Sequence, residues 1–156
     1  MLISKMSLLI QEYLPQLEQD YLKQQNLPQI YYFSGDKGYQ TVFDMLYLKG
    51  SHKNIYILIN DLEQYEPYEP KYIFSIEKRG LKTHLYVNQA TGIDIFLKRD
   101  EKEFRQTKQV ATPILHDTIV FEDKVVFGKI SKKDFNVLVI KNYEFVKTYK
   151  SLLKLL

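Results

Sequence analysis

The chain has 156 residues, 45% of them hydrophobic and 26% charged, with 13 Tyr and 9 Phe carrying an aromatic fraction of 14%. That length and balance fit one globular domain with a sizeable core. The net charge is +3 and there is no cysteine, which excludes disulfides and thiolate metal sites.

The opening stretch MLISKMSLLIQEYL lacks a basic leader, a long apolar core and a small-residue cleavage site, so no signal peptide is expected. Residues 2–25 read as helix, because Leu2, Met6, Leu9, Tyr13, Leu17 and Tyr21 recur at three- and four-residue steps. Pro15 interrupts the stripe and predicts a kink there, or two short helices with Pro15 opening the second. Gln29 to Phe33 predicts a short strand, ended by Ser34-Gly35-Asp36. Lys37 to Leu48 has helical spacing at Tyr39, Val42, Phe43, Leu46 and Tyr47, with Gly50 as a stop. Asn54 to Asn60 (NIYILIN) is the strongest strand signal, and its continuous apolar run predicts burial on both faces.

The segment YEPYEP at Tyr65–Pro70 carries two X-Pro steps and reads as loop or edge. Lys71 to Glu77, Lys82 to Val87 and Ile93 to Lys98 read as three further strands. Turns at Arg79-Gly80 and at Asn88 to Gly92 would join them in an antiparallel meander. Arg99 to Thr112 reads as helix or loop. Pro113 predicts a helical turn capped by Thr112, with a hairpin of Thr118–Phe121 and Lys124–Ile130 around Glu122-Asp123 as the alternative. Phe135 to Ile140 is a strand. Asn142 to Leu156 is a closing helix, with Phe145, Tyr149, Leu152 and Leu156 as its apolar stripe. The expected fold is a single α+β domain over 1–156: a mostly antiparallel sheet, an N-terminal helix packed on it, helical elements near the C-terminus, and a basic C-terminal extension over 124–156.

Charge is uneven. Eight lysines stand against Asp134 and Glu144 between Lys124 and Leu156, whereas Asp61, Glu63, Glu66 and Glu69 face no base between 61 and 70. Two such segments suit head-to-tail contact between copies, so Asp61, Glu63, Glu66 and Glu69 and the stripe Lys147, Lys150 and Lys154 are candidate subunit or partner contacts. Leu152 and Leu156 join them, because the LLKLL end places leucines on more than one helix face. The same lysine stripe, with Tyr and Phe as stacking platforms, fits non-specific nucleic-acid contact.

Catalytic signals are sparse. A divalent-metal nuclease needs convergent carboxylates, for which Asp61 after a strand, Glu77, and Asp100-Glu101-Lys102 are the candidates. Asp94 in GIDIFL stands where a nucleotidyltransferase carries two acids, but position 96 is Phe. His52, His84 and His116 share no metal-ligand spacing. The expectation is a protein that is not an enzyme and uses no cofactor or metal.

In order of elements the chain resembles phage tail-terminator and tail-completion (neck) proteins. The stretches that carry the resemblance are the opening helix, QIYYFSGDKGYQTVF, NIYILIN, KYIFSIE, GIDIFLKRD and QVATPILHDTIVF, together residues 1 to 122. The resemblance implies a non-enzymatic virion structural protein: a small ring-forming homo-oligomer at the head–tail junction, contacting other virion proteins, assembled in the bacterial cytoplasm, with no membrane. An extra hairpin near Leu81 to Val87 and the basic tail from Lys124 are additions to that plan. The alternative reading is a small phage or mobile-element protein that binds nucleic acid or cuts it with Mg.

Overall fold

A computed structural model describes residues 2–25, 27–60, 62, 68–88 and 92–156. The fold is α+β: among the described residues, five α-helices lie around a seven-stranded mixed sheet of order β1-β7-β6-β5-β2-β3-β4. The strands are β1 (Gln29–Ser34), β2 (Asn54–Ile59), β3 (Lys82–Val87), β4 (Arg105–Gln109), β5 (Asp117–Phe121), β6 (Lys124–Lys129) and β7 (Asn136–Lys141). The helices are α1 (Leu2–Gln25), α2 (Gly35–Tyr47), α3 (Pro70–Arg79), α4 (Ile93–Asp100) and α5 (Tyr143–Leu153).

The hairpin of β5 and β6, given as the alternative to a helical turn at Pro113, forms, and β1, β7 and β2 also pair antiparallel with their neighbours on that side. The expected meander does not. β2, β3 and β4 run parallel, because the segments read as strands at 71–77 and 93–98 are the crossover helices α3 and α4. In α3, Tyr72 and Ile76 stand four residues apart and are buried, while Phe74 between them is exposed, the signature of one helix face. Pro70 opens that helix at its first turn, and Gly80 closes it in the left-handed conformation at φ 64°. The polar run Arg105–Gln109, read as helix or loop, is the edge strand β4. No helical turn starts at Pro113.

Two layers pack on the sheet. One face presents Ile55, Ile57, Ile59, Leu85, Val87, Ile119, Phe121, Val126, Val137 and Val139 to α2, α3 and α4. Val42, Phe43, Leu46, Tyr47, Tyr72 and Ile76 come down from those helices, with Phe43 and Tyr47 ring centroids 5.9 Å apart. Tyr72 donates to Asp44 Oδ1 at 2.9 Å; burial and that carboxylate raise its pKa. Among the described residues, the opposite face is covered mainly by α5, through Val146 and Leu153 against Val120 and Val125. NIYILIN is therefore buried on one face and half-buried on the other, not on both.

The apolar stripe expected on α5 is turned by one residue. Val146 and Leu153 point inward, while Phe145 and Leu152 are exposed. Tyr149 and Leu156 do pack at the rim of this cluster. Residues 124–156 supply two sheet strands as well as α5.

α1 departs from expectation in its packing. It continues through Pro15 as one helix, and its described side chains are exposed instead of packed on the sheet. Leu9 is 52% and Leu17 62% exposed. Glycine is required at Gly128 in β6, where φ is +139° and an added Cβ would stand 2.2 Å from the Asn136 carbonyl oxygen of β7.

Candidate nucleic-acid interface

Lys147, Lys150 and Lys154 sit three and four residues apart on α5, so all three emerge on one side of that helix. The sequence places α5 firmly. Asn142 caps it, its Oδ1 accepting from the Phe145 N–H at 2.8 Å. At the other end the Lys108 ammonium of β4 donates to the Leu156 carbonyl at 2.6 Å. Between α5 and the uncovered part of β2 and β3 lies a groove of about 380 Å³, lined by the three lysines, Tyr56, Tyr86 and Tyr143, with Glu122 also on its wall.

Tyr56 and Tyr86 reach the groove by strand alternation, and Tyr143 from the first position of α5. Tyr56 and Leu58 of β2 point to the α5 side and pair in register with His84 and Tyr86 of β3. The Tyr56 and His84 rings stack at 4.9 Å and 14°, and His84 Nε2 bonds Asn54 Oδ1 at 3.1 Å. Lys150 Nζ stands 6.0 Å from the Tyr56 centroid. Burial first, and Lys82 second, lower the His84 pKa, so the imidazole is neutral at pH 7. Burial raises the Tyr86 pKa, keeping the phenol uncharged.

Most other lysines of the segment 124–156 meet an acid, Lys133 excepted. Lys124 holds Asp123 at 2.8 Å, Lys129 holds Asp134 at 2.9 Å, and Lys132 holds Glu69 at 3.3 Å. For Asp123, burial alone would raise the carboxyl; the hydrogen bond and charge of Lys124 outweigh it and hold the pKa low. Among the described residues, no carboxylate lies within 4.0 Å of Lys147, Lys150 or Lys154. Glu122, on the groove wall, faces Lys124 at 3.7 Å and His52 Nδ1 at 3.4 Å. His52 Nε2 lies 2.7 Å from the Leu46 carbonyl, which can only accept, so that nitrogen carries the proton. Burial lowers the His52 pKa.

The other expected contacts fare differently. Asp61, Glu63 and Glu66 lie outside the described residues. Glu69 is engaged within the chain, by Lys71 and Lys132. Leu152 is exposed on α5, whereas Leu156 packs against the sheet. The carboxylates considered for metal chemistry partly converge: Glu77, Asp100 and Glu101 line one cleft of about 420 Å³ beside β4. Asp100 is bound there to Arg105 Nε at 2.7 Å and to Thr107. Arg105 also bonds the buried Glu103 and the Phe96 carbonyl, making a structural knot at the end of α4. Among the described residues, no group of three or more His, Asp or Glu side chains is placed to hold a metal ion. Nor is any helix long and apolar enough to cross a membrane. His52, His84 and His116 are not brought together: His52 packs near Phe121, His84 stacks on Tyr56, and His116 lines an apolar pocket with Tyr149 and Leu156.

The lysine stripe was legible as a spacing. Its partners Tyr56 and Tyr86 were not, because they come from strands distant in sequence. The only local signal was the alternation of NIYILIN and KTHLYV, each of which puts a ring on the α5 side.

No protein-family model and no curated protein matches the chain. Several solved structures share its fold. One is TrmBL2, described as an archaeal chromatin protein with a novel mode of DNA binding: TM-score 0.55 and 11% identity, over 97% of this chain and 65% of that one. NucT from Helicobacter pylori gives a TM-score of 0.55 at 14% identity, over 82% of this chain and 94% of that one. Polyphosphate kinase from Porphyromonas gingivalis gives 0.59 at 12% identity, over 81% of this chain and 23% of that one. The chain thus spans less than two thirds of the TrmBL2 and kinase chains it matches. At these identities the likeness is one of fold, and the seven-stranded mixed sheet with its five helices is a fold shared with TrmBL2, NucT and polyphosphate kinase.

Proposed function

We propose that this protein is a non-catalytic nucleic-acid-binding domain that grips the phosphate backbone, without reading sequence, along α5. The observation that carries the reading is the set of three unpaired lysines over a tyrosine-lined groove, in a region where most other lysines are neutralised by acids. An unpaired ammonium attracts phosphate without first breaking an internal ion pair, and each contact releases a counterion. The fold shared with a DNA-binding chromatin protein is in keeping with this role but carries no residue over. The reading is one of binding, not of metal-assisted cleavage: Asp100 is taken up by Arg105 and Thr107, and Glu77 stands exposed on α3. The test is fluorescence anisotropy with labelled nucleic acid across a salt series. Affinity should fall steeply with salt, and replacing Lys147, Lys150 and Lys154 together by Ala should abolish most of it. Unchanged binding by the triple variant would sink the proposal.

A second reading, the ring-forming virion subunit, is favoured by α1. Leu8, Leu9, Ile10, Tyr13, Leu14 and Leu17 are all exposed on it, an apolar surface suited to a second copy. Light scattering at low and high salt tests this: a discrete ring-sized oligomer supports it, and a monomer at all concentrations counts against it.

A further inference from the structure

We infer that the groove under α5 takes single-stranded nucleic acid, stacking bases on its tyrosines while the lysines hold the phosphates. This rests on the nucleic-acid reading and narrows it. The groove joins two chemistries. Its wall is Lys147, Lys150 and Lys154; its other surfaces include Tyr56, Tyr86 and Tyr143. A duplex hides the faces of its bases and would use only the lysines. A single strand offers bases and phosphates together, and its bases can stack on aromatic rings whatever their sequence.

Three features of the site fit a base. The groove of about 380 Å³ is at the scale of a small-molecule site. The Tyr56 ring is held in one orientation by its stack on His84, which Asn54 fixes in turn, so little ordering is left to do on binding. Lys150 Nζ stands 6.0 Å from the Tyr56 centroid, which puts an ammonium for a phosphate beside a ring for a base. His84 and the tyrosines contribute no negative charge. The one acid on the wall, Glu122, has Lys124 at 3.7 Å.

The experiment uses the whole chain and three labelled probes of equal length: oligothymidylate, oligouridylate and a mixed-sequence duplex. Either single strand should bind about tenfold tighter than the duplex, and whichever binds more tightly names the natural strand. The plot of log affinity against log salt should have a slope of about −2 for single strands, close to 0.7 per lysine. Tyr56→Leu should lower single-strand affinity about tenfold and leave duplex affinity unchanged. Tyr143→Ala guards against loss of folding, because Tyr143 is 66% exposed and supports no core packing. It should act in the same direction. Duplex binding equal to single-strand binding, or tyrosine variants that match the parent, would overturn the stacking site and leave the polyanion reading standing. No binding to any probe would remove both.

Discussion

The two faces of the sheet are covered by different means. On one, α2, α3 and α4 bury a continuous aromatic and aliphatic core and an ionic knot, in which Arg105 is 4% and Glu103 4% exposed. On the other, among the described residues, α5 is the main cover, resting on β5 and β6, and the strands on either side of it stay open: Ile30, Tyr32 and Leu138 toward β1, and the tyrosine groove toward β3. The closed face has the packing that stability needs. The open face keeps unpaired charge and half-buried rings, which contribute little to folding and are available to a ligand. Stability and binding should therefore separate by face, and substitutions can test that separation.

The largest effect is expected on the closed face. Arg105→Ala leaves Glu103 buried with only Arg99 to pair it, and should cost about 3–5 kcal/mol in urea unfolding. A loss below about 1 kcal/mol would mean that the knot is dispensable. Val146→Ala removes the main anchor of α5 and should cost about 2 kcal/mol. If α5 and the sheet unfold together, probes of helix and of tyrosine environment will lose signal at the same denaturant concentration. Separate transitions would make the two faces independent units.

Acid should weaken both faces. His52 and His84 have lowered pKa values in the folded state, so below about pH 6.5 the unfolded chain binds protons that the folded chain does not. Stability must then fall as pH drops from about 7 toward the folded pKa values, and His52→Gln should flatten part of that slope. A urea midpoint that stays level or rises over this window would contradict the assignment of neutral, buried rings. The smallest effect is expected from replacing Lys147, Lys150 and Lys154 by Ala. Unfolding should shift by less than about 0.5 kcal/mol, because no acid pairs with them, although nucleic-acid affinity is mostly lost. A large loss of stability would place the lysines in the fold instead of in a site.

Much of the antiparallel half could be read from the sequence. Alternation and turn residues located β1, β5, β6 and β7, and three- and four-residue spacing located α1, α2 and α5. In the parallel half β2 and β3 were legible as strands, but α3, α4 and β4 were not, because their composition contradicts local propensity. α3 (PKYIFSIEKR) is full of strand-forming side chains, and only the pair Tyr72 and Ile76, with Pro70 before and Gly80 after, marks a helix. β4 (RQTKQ) has no apolar residue, because it is an edge strand whose polar side chains discourage further pairing. Misreading α3 as a strand also reversed the direction of β3, since a helix between two strands sets them parallel. Of the site, the basic stripe was legible from spacing within one helix. The rings beneath it depend on which strands lie next to α5, a long-range fact that periodicity does not contain.

The pairing of β1 with β7 has a consequence for how the chain is made. Gln29 finds its partner only at Lys141, so β1 leaves the ribosome well before β7 and must wait for it. Through that interval Ile30, Tyr31 and Tyr32 have an unpaired backbone on both sides. Synthesis that stalls after β6 would release a nascent chain whose first strand can pair with another copy of itself, which makes this strand the expected seed of aggregation and a natural binding point for a chaperone.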